Sequence, residues 1–194
     1  KQFSNEPAGQ EAKFKNARLS YFQGDLMWAK AQLDVLKAST SQLYANDALN
    51  LRLLISDNLQ NETDTNALRM YARADMLIFK NQHEKALSTL DSINKLFPSN
   101  SLADDILMAK AKIFLKQNKI MEATGQFQKI IKDYSFDLWA DDALFMLAQV
   151  YETSLKDPEK AKELYQKIIT DFPGSLYVIE ARKRFRALRG DKIG

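Results

Sequence analysis

One phrase recurs three times between Ala74 and Pro173 and constrains everything else about the chain. It reads Ala86-x3-Leu90-x2-Ile93-x3-Phe97-Pro98, then Ala123-x3-Phe127-x2-Ile130-x3-Tyr134-Ser135, then Ala161-x3-Tyr165-x2-Ile168-x3-Phe172-Pro173. The apolar positions fall at helical spacing, so each phrase marks one amphipathic helix. A matching half lies upstream each time: Ala74 with Leu77, Ala111 with Phe114, Ala148 with Tyr151. The upstream halves are 37 residues apart, and the downstream halves 37 and then 38. A helix pair cannot bury its apolar stripe alone, whereas stacked copies share one continuous core. The pattern predicts an all-α chain, an α–α superhelix of stacked antiparallel hairpins with a C-terminal capping helix.

Composition narrows the functions such a chain can have. Its 194 residues suffice for one or two compact domains or one short solenoid. Lysine and arginine total 28 against 25 aspartates and glutamates, and a net charge of +3 does not by itself point to nucleic acid. No apolar run approaches the ~20 residues a bilayer span requires. The chain starts at Lys1 rather than methionine, so a processed or excised piece is expected, with a signal segment or further repeats removed. Cysteine is absent and histidine occurs once, which excludes disulfides, thiolate metal sites, Cys–His pairs and histidine clusters within the chain. There is no phosphate-cradling glycine run.

The remaining chemical candidates have plainer explanations. His83 lies at a helix start among polar residues and reads as a surface or capping group. Asp104-Asp105 and Asp141-Asp142 could in principle form acid–base pairs. They recur in register at helix starts, however, where carboxylates cap free N–H groups and meet the positive dipole end. Gly125 inside a helix is explained by close packing, and Trp28 and Trp139 by packing between helices. No catalytic residue, metal or cofactor is expected.

In chain order, residues 1–10 read as a disordered lead-in. An N-terminal hairpin follows over 11–43, where Ala29-x3-Leu33-x2-Leu36 repeats the phrase and Gly24-Asp25 marks the turn. Ser39, Thr40 and Ser41 supply a polar joint that can cap the next helix. Residues 44–65 form an extra helix and loop at a phase break, since Ala29 and Ala86 are 57 apart. That helix either closes a short first block or shares the helix over 66–80 with the next repeat, and the second reading is preferred. Thr63 or Thr65 is available as a cap. Three regular repeats occupy 66–174, with Asp157 and Pro158 well placed to start a helix. A basic capping helix and tail take 175–194, the helix starting at Ser175.

The small residues Ala74, Ala111 and Ala148, with Ala86, Ala123 and Ala161, fall where paired helices press closest. Leu90, Phe127 and Tyr165 fill the space between hairpins. On these residues the chain resembles the tetratricopeptide repeat, whose signature runs over ~34 residues from a large apolar residue through small, aromatic and alanine positions to a closing proline. Met70, Leu107 and Leu144 stand where tryptophan is usual, Arg73 and Lys110 where leucine is usual, and Ser135 replaces one closing proline. The loops Phe97-Pro98-Ser99-Asn100-Ser101 and Phe172-Pro173-Gly174-Ser175 are similar to those of bacterial cell-envelope members of the family. That likeness favours periplasm or cell envelope over cytoplasm.

The resemblance implies a right-handed solenoid whose first helices line a concave groove for a peptide or partner protein. Carried over, the groove positions are Tyr71, Asp75, Ile78 and Phe79 in one repeat. They are Met108, Lys112, Leu115 and Lys116 in the next, and Phe145, Gln149, Glu152 and Thr153 in the last. The mixture of apolar and charged groups suits an extended peptide or a partner helix. The alternative is a structural segment of a larger envelope assembly or scaffold protein, with its faces occupied by its own chain. The basic residues Arg182, Lys183, Arg184, Arg186, Arg189 and Lys192 raise the idea of anionic lipid or nucleic acid. Ala181, Phe185 and Leu188 give that helix an ordinary buried stripe, so a solvated cap is expected, with no nucleic-acid partner and membrane contact only through other parts of a parent chain.

Overall fold

The structure, a computed structural model, describes residues 7–37 and 42–191. These residues form ten α-helices and no strand: α1 (Pro7–Phe22), α2 (Leu26–Lys37), α3 (Gln42–Asp57), α4 (Glu62–Phe79), α5 (His83–Leu96), α6 (Ala103–Lys116), α7 (Ile120–Asp133), α8 (Ala140–Thr153), α9 (Pro158–Asp171) and α10 (Val178–Arg189). Consecutive helices pair as hairpins, which is the all-α helical-repeat architecture. The chain divides into two compact units, Lys1–Leu102 and Ala103–Gly194.

In the first unit α1 and α2 form a hairpin sealed by Ala17, Tyr21, Ala29, Leu33 and Leu36, all buried. Helix α3 packs on α2 and on α1, while α4 pairs with α5 and also touches α1. An ion pair from Arg52 to Asp34 ties α3 to α2. With Lys30 at 3.1 Å from the same carboxylate, that arginine holds the Asp34 carboxyl below its ordinary range. At the α1–α4 contact the Arg18 guanidinium lies 5.1 Å from the ring centroids of both Phe22 and Phe79, an arrangement of cation between aromatic faces.

The second unit repeats one scheme: hairpins α6–α7 and α8–α9, α7 against α8, and α10 closing on α9. Ala111, Ala123, Ala148 and Ala161 have no exposed surface, nor have Ala74 and Ala86 in the first unit. Phe127 and Tyr165 are equally buried and anchor two successive cores. Alanine lets the backbones approach, and the large side chain opposite fills what remains, giving the dense packing that protein interiors require. Asp157 accepts the Lys160 N–H at 3.0 Å and Pro158 opens α9.

The hairpin turns share a feature. Gly24, Asn81, Asn118 and Lys156 each end the turn after a repeat's first helix with positive φ, at 80°, 56°, 57° and 56°. Glycine and asparagine enter this left-handed region readily, whereas lysine does so against its Cβ.

Several local expectations shift. Helix α1 starts at Pro7, four residues ahead of Glu11, because proline suits a first helical turn. Residues 7–10 of the expected lead-in are therefore helical, and residues 1–6 lie outside the described residues, as does the Ser39–Ser41 joint. The cap of α4 is Asn61, whose side-chain oxygen accepts the Asp64 N–H at 2.9 Å. Thr65 instead donates its hydroxyl to the Asn61 carbonyl at 2.7 Å. Helix α10 begins at Val178 rather than Ser175, since the Ser175 hydroxyl accepts the Tyr177 N–H at 3.1 Å and closes a turn first. Gly125 is not a packing necessity, because a Cβ built there meets nothing within 4 Å. Trp28 does not pack between helices; it is exposed on α2.

Candidate functional site

The twelve groove positions divide between the two units. In the first, Tyr71, Asp75 and Ile78 are half-buried on α4, and Phe79 is exposed at the helix end beside Arg18 and Phe22. Phe79 and Phe22 are tilted against each other at 5.9 Å.

In the second unit α6 contributes Lys112 and Lys116, both exposed and one helical turn apart, with Leu115 half-buried between them. Lys112 rests over the Trp139 ring, its ammonium 4.5 Å from the centroid. The indole N–H of Trp139 donates to the Asp105 carboxylate at 2.7 Å. Lysine, indole and carboxylate thus form one ledge along α6 and the start of α8. Trp139 packs against the core of α6, α7 and α8, as the sequence leads one to expect, and its ring and N–H also meet Lys112 and Asp105.

Met108 and Phe145 do not belong to an accessible face. Met108 is 1% exposed within the core of α6, α7 and α8. Phe145 is 7% exposed and stacked on Tyr177 with ring centroids 4.4 Å apart. The family's spacing places these positions on the groove side, but here Met108 lies in the core and Tyr177, at the start of α10, stacks on Phe145. Glu152 is also engaged: it accepts the Tyr165 hydroxyl at 2.6 Å and the Arg184 guanidinium at 3.0 Å, and Arg184 bonds Glu180 at 2.9 Å. Burial and the Glu152 carboxylate both push the Tyr165 hydroxyl far above its usual range. Thr153 is exposed and donates to the Gln149 carbonyl at 2.7 Å.

The paired aspartates split their roles. The first of each pair stays local: Asp104 meets the backbone N–H of Asp105, and Asp141 accepts the N–H of Asp142 at 3.0 Å. The second reaches to the next repeat, Asp105 to Trp139 and Asp142 to the Tyr177 hydroxyl at 2.6 Å. Capping was therefore half of the answer. Burial raises the carboxyls of both Asp104 and Asp142, outweighing the hydrogen bond that Tyr177 gives to Asp142.

A core of stacked helical hairpins, with polar and aromatic groups displayed on successive first helices, defines a helical-repeat interaction protein. A family model described as Tetratricopeptide repeat matches residues 142–175, which run from Asp142 in α8 through α9 to Ser175. No curated protein matches the chain. A repeat of this kind supports a protein–protein interaction module in general.

Proposed function

We propose that the second unit binds an extended, acid-bearing segment of a partner protein along α6 and α8. The observation that carries this reading is the ledge of Lys112, Lys116 and Trp139, in which two exposed lysines stand one helical turn apart and the first rests over an aromatic face. Such a surface takes carboxylates at the lysines and an apolar or planar group at the indole. Gln149 and Thr153 extend the ledge with groups able to bond a peptide backbone. Charge reversal at Lys116 is expected to weaken capture of partners from native extract while leaving the melting midpoint unchanged, and adding reversal at Lys112, which also removes its contact with Trp139, is expected to abolish capture. Capture that proceeds equally well with the reversed protein would sink the assignment.

A structural reading, as a segment of a larger scaffold, is favoured by a different observation. Phe145 and Glu152, two of the four positions carried over in the last repeat, are occupied by Tyr177, Tyr165 and Arg184 of the same chain. On that reading the last repeat is closed to partners, and the binding face is confined to α6 and the start of α8. A cell-envelope setting is supported by the loop resemblance, and fractionation of cells followed by detection of the protein tests it.

A further inference from the structure

The second unit carries another surface, on the edge where α7 and α9 end and α8 begins. An open cleft of about 370 Å³ lies there, floored by Ile131, Ala140, Leu144 and Phe172 and rimmed by Ser135, Phe136, Lys167 and Asp171. Phe136 stands at the rim with its whole side chain in solvent, and Leu138 and Leu176 on the adjoining loops are also exposed. Exposed apolar groups clustered about a cleft mark an interaction site rather than ordinary surface. The charge is unusual too. Asp133 and Asp171 are the last residues of α7 and α9, at helix ends that favour cations, and Asp137 adds a third exposed carboxylate. Lys132 and Lys167 offset these only in part.

The chain also carries a complement. Ile179, Arg182, Lys183 and Arg186 sit at i, i+3, i+4 and i+7 of α10, all exposed on one stripe, while Val178 and Ala181 hold the helix to the core. In repeat register Arg182 and Arg186 stand 38 residues after Leu144 and Ala148, which in α8 face that repeat's own second helix. Helix α10 is the last described helix, so among the described residues no second helix follows to cover this stripe.

We propose that the acidic apolar edge docks a second copy of the chain, whose α10 lays its basic stripe across the carboxylates and seats Ile179 in the cleft. Charge complementarity selects this occupant: the carboxylates oppose an anionic lipid surface, and α10 combines one apolar anchor, Ile179, with Arg182 and Lys183 three and four residues on, while Arg186 also pairs with Asp191 at 3.4 Å. A two-fold pairing uses both surfaces of both copies, as closed symmetric dimers do.

Sedimentation velocity of the whole chain over a concentration series tests this, at low and at high salt. A concentration-dependent dimer that weakens with salt is expected. Phe136→Asp should leave only monomer, as should Asp133→Lys/Asp137→Lys and, separately, Arg182→Glu/Lys183→Glu. Mixing the two charge-reversed proteins should restore association, because each then offers what the other lacks. All these positions are exposed, so helicity should match the parent; were Phe136→Asp to lose helicity, Phe136→Ser replaces it. A wild-type chain that stays monomeric throughout, including one that binds anionic vesicles instead, overturns the proposal. So does a dimer indifferent to these substitutions, or charge-reversed proteins that fail to associate when mixed. Neither Lys112 nor Lys116 lines the cleft or is altered in these variants, so the ledge is tested separately.

Discussion

At the scale of single residues, the carboxylates of the second unit carry the clearest consequence. Burial raises the Asp142 carboxyl above its ordinary range in the folded chain. As pH falls through that raised value, the folded state takes up a proton before the unfolded chain does, so this group adds stability until the unfolded carboxyl titrates as well. Asp34 behaves oppositely: its carboxyl is lowered by Arg52 first and then Lys30, so its contribution is present above the ordinary carboxylate range and is lost as pH falls through the lowered value. Asp142→Asn keeps an acceptor for Tyr177 without a buried charge. Its melting midpoint should exceed the parent's at pH 7, and the gap should close under acid conditions where Asp142 is protonated. A gap that widens toward acid would contradict this account.

At the scale of elements, the turns and helices show where sequence preference and fold disagree. Lys156 holds φ at 56° in a place where Gly24, Asn81 and Asn118 serve the other hairpins. Lys156→Gly should stabilise the protein by about 1 kcal/mol in denaturant unfolding, by relieving the left-handed strain of a residue with a Cβ. Gly125 is the reverse case. It sits inside α7 with open space around it, so Gly125→Ala should add roughly 0.5–1 kcal/mol by reducing the entropy lost on forming the helix. If alanine destabilised, a contact absent from this conformation would have to exist. The four turn residues share one register, so the motif was available to sequence inspection; only Gly24 announced it, in the Gly24-Asp25 turn. Capping was less legible. Asn61, Thr63 and Thr65 are all competent acceptors, and the choice fell to Asn61 only because the chain enters α4 there.

At the scale of the molecule, charge reversal at Lys116 matters because it separates recognition from stability: Lys116 is solvent-exposed, so its reversal should alter partner capture and not folding, whereas Lys112 also rests on Trp139. The helical hairpins were legible in the sequence because alanines and large apolar residues recur at one period, and a period survives any ignorance of neighbours. Ala111, Ala148, Phe127 and Tyr165 are buried for that reason. The candidate site was legible only in part, because a groove position is defined by what the next repeat leaves uncovered. Lys112 and Lys116 remain outside; Met108 and Phe145 do not, and Glu152 is held by Tyr165 and Arg184. By itself, then, the sequence determined an all-α repeat and the side chains that fill it, through local periodicity. The tertiary structure alone decided which first-helix residues reach solvent, because Trp139, Tyr177 and Arg184 are brought back onto the preceding repeat from 27 to 35 residues away, a closure no local pattern encodes.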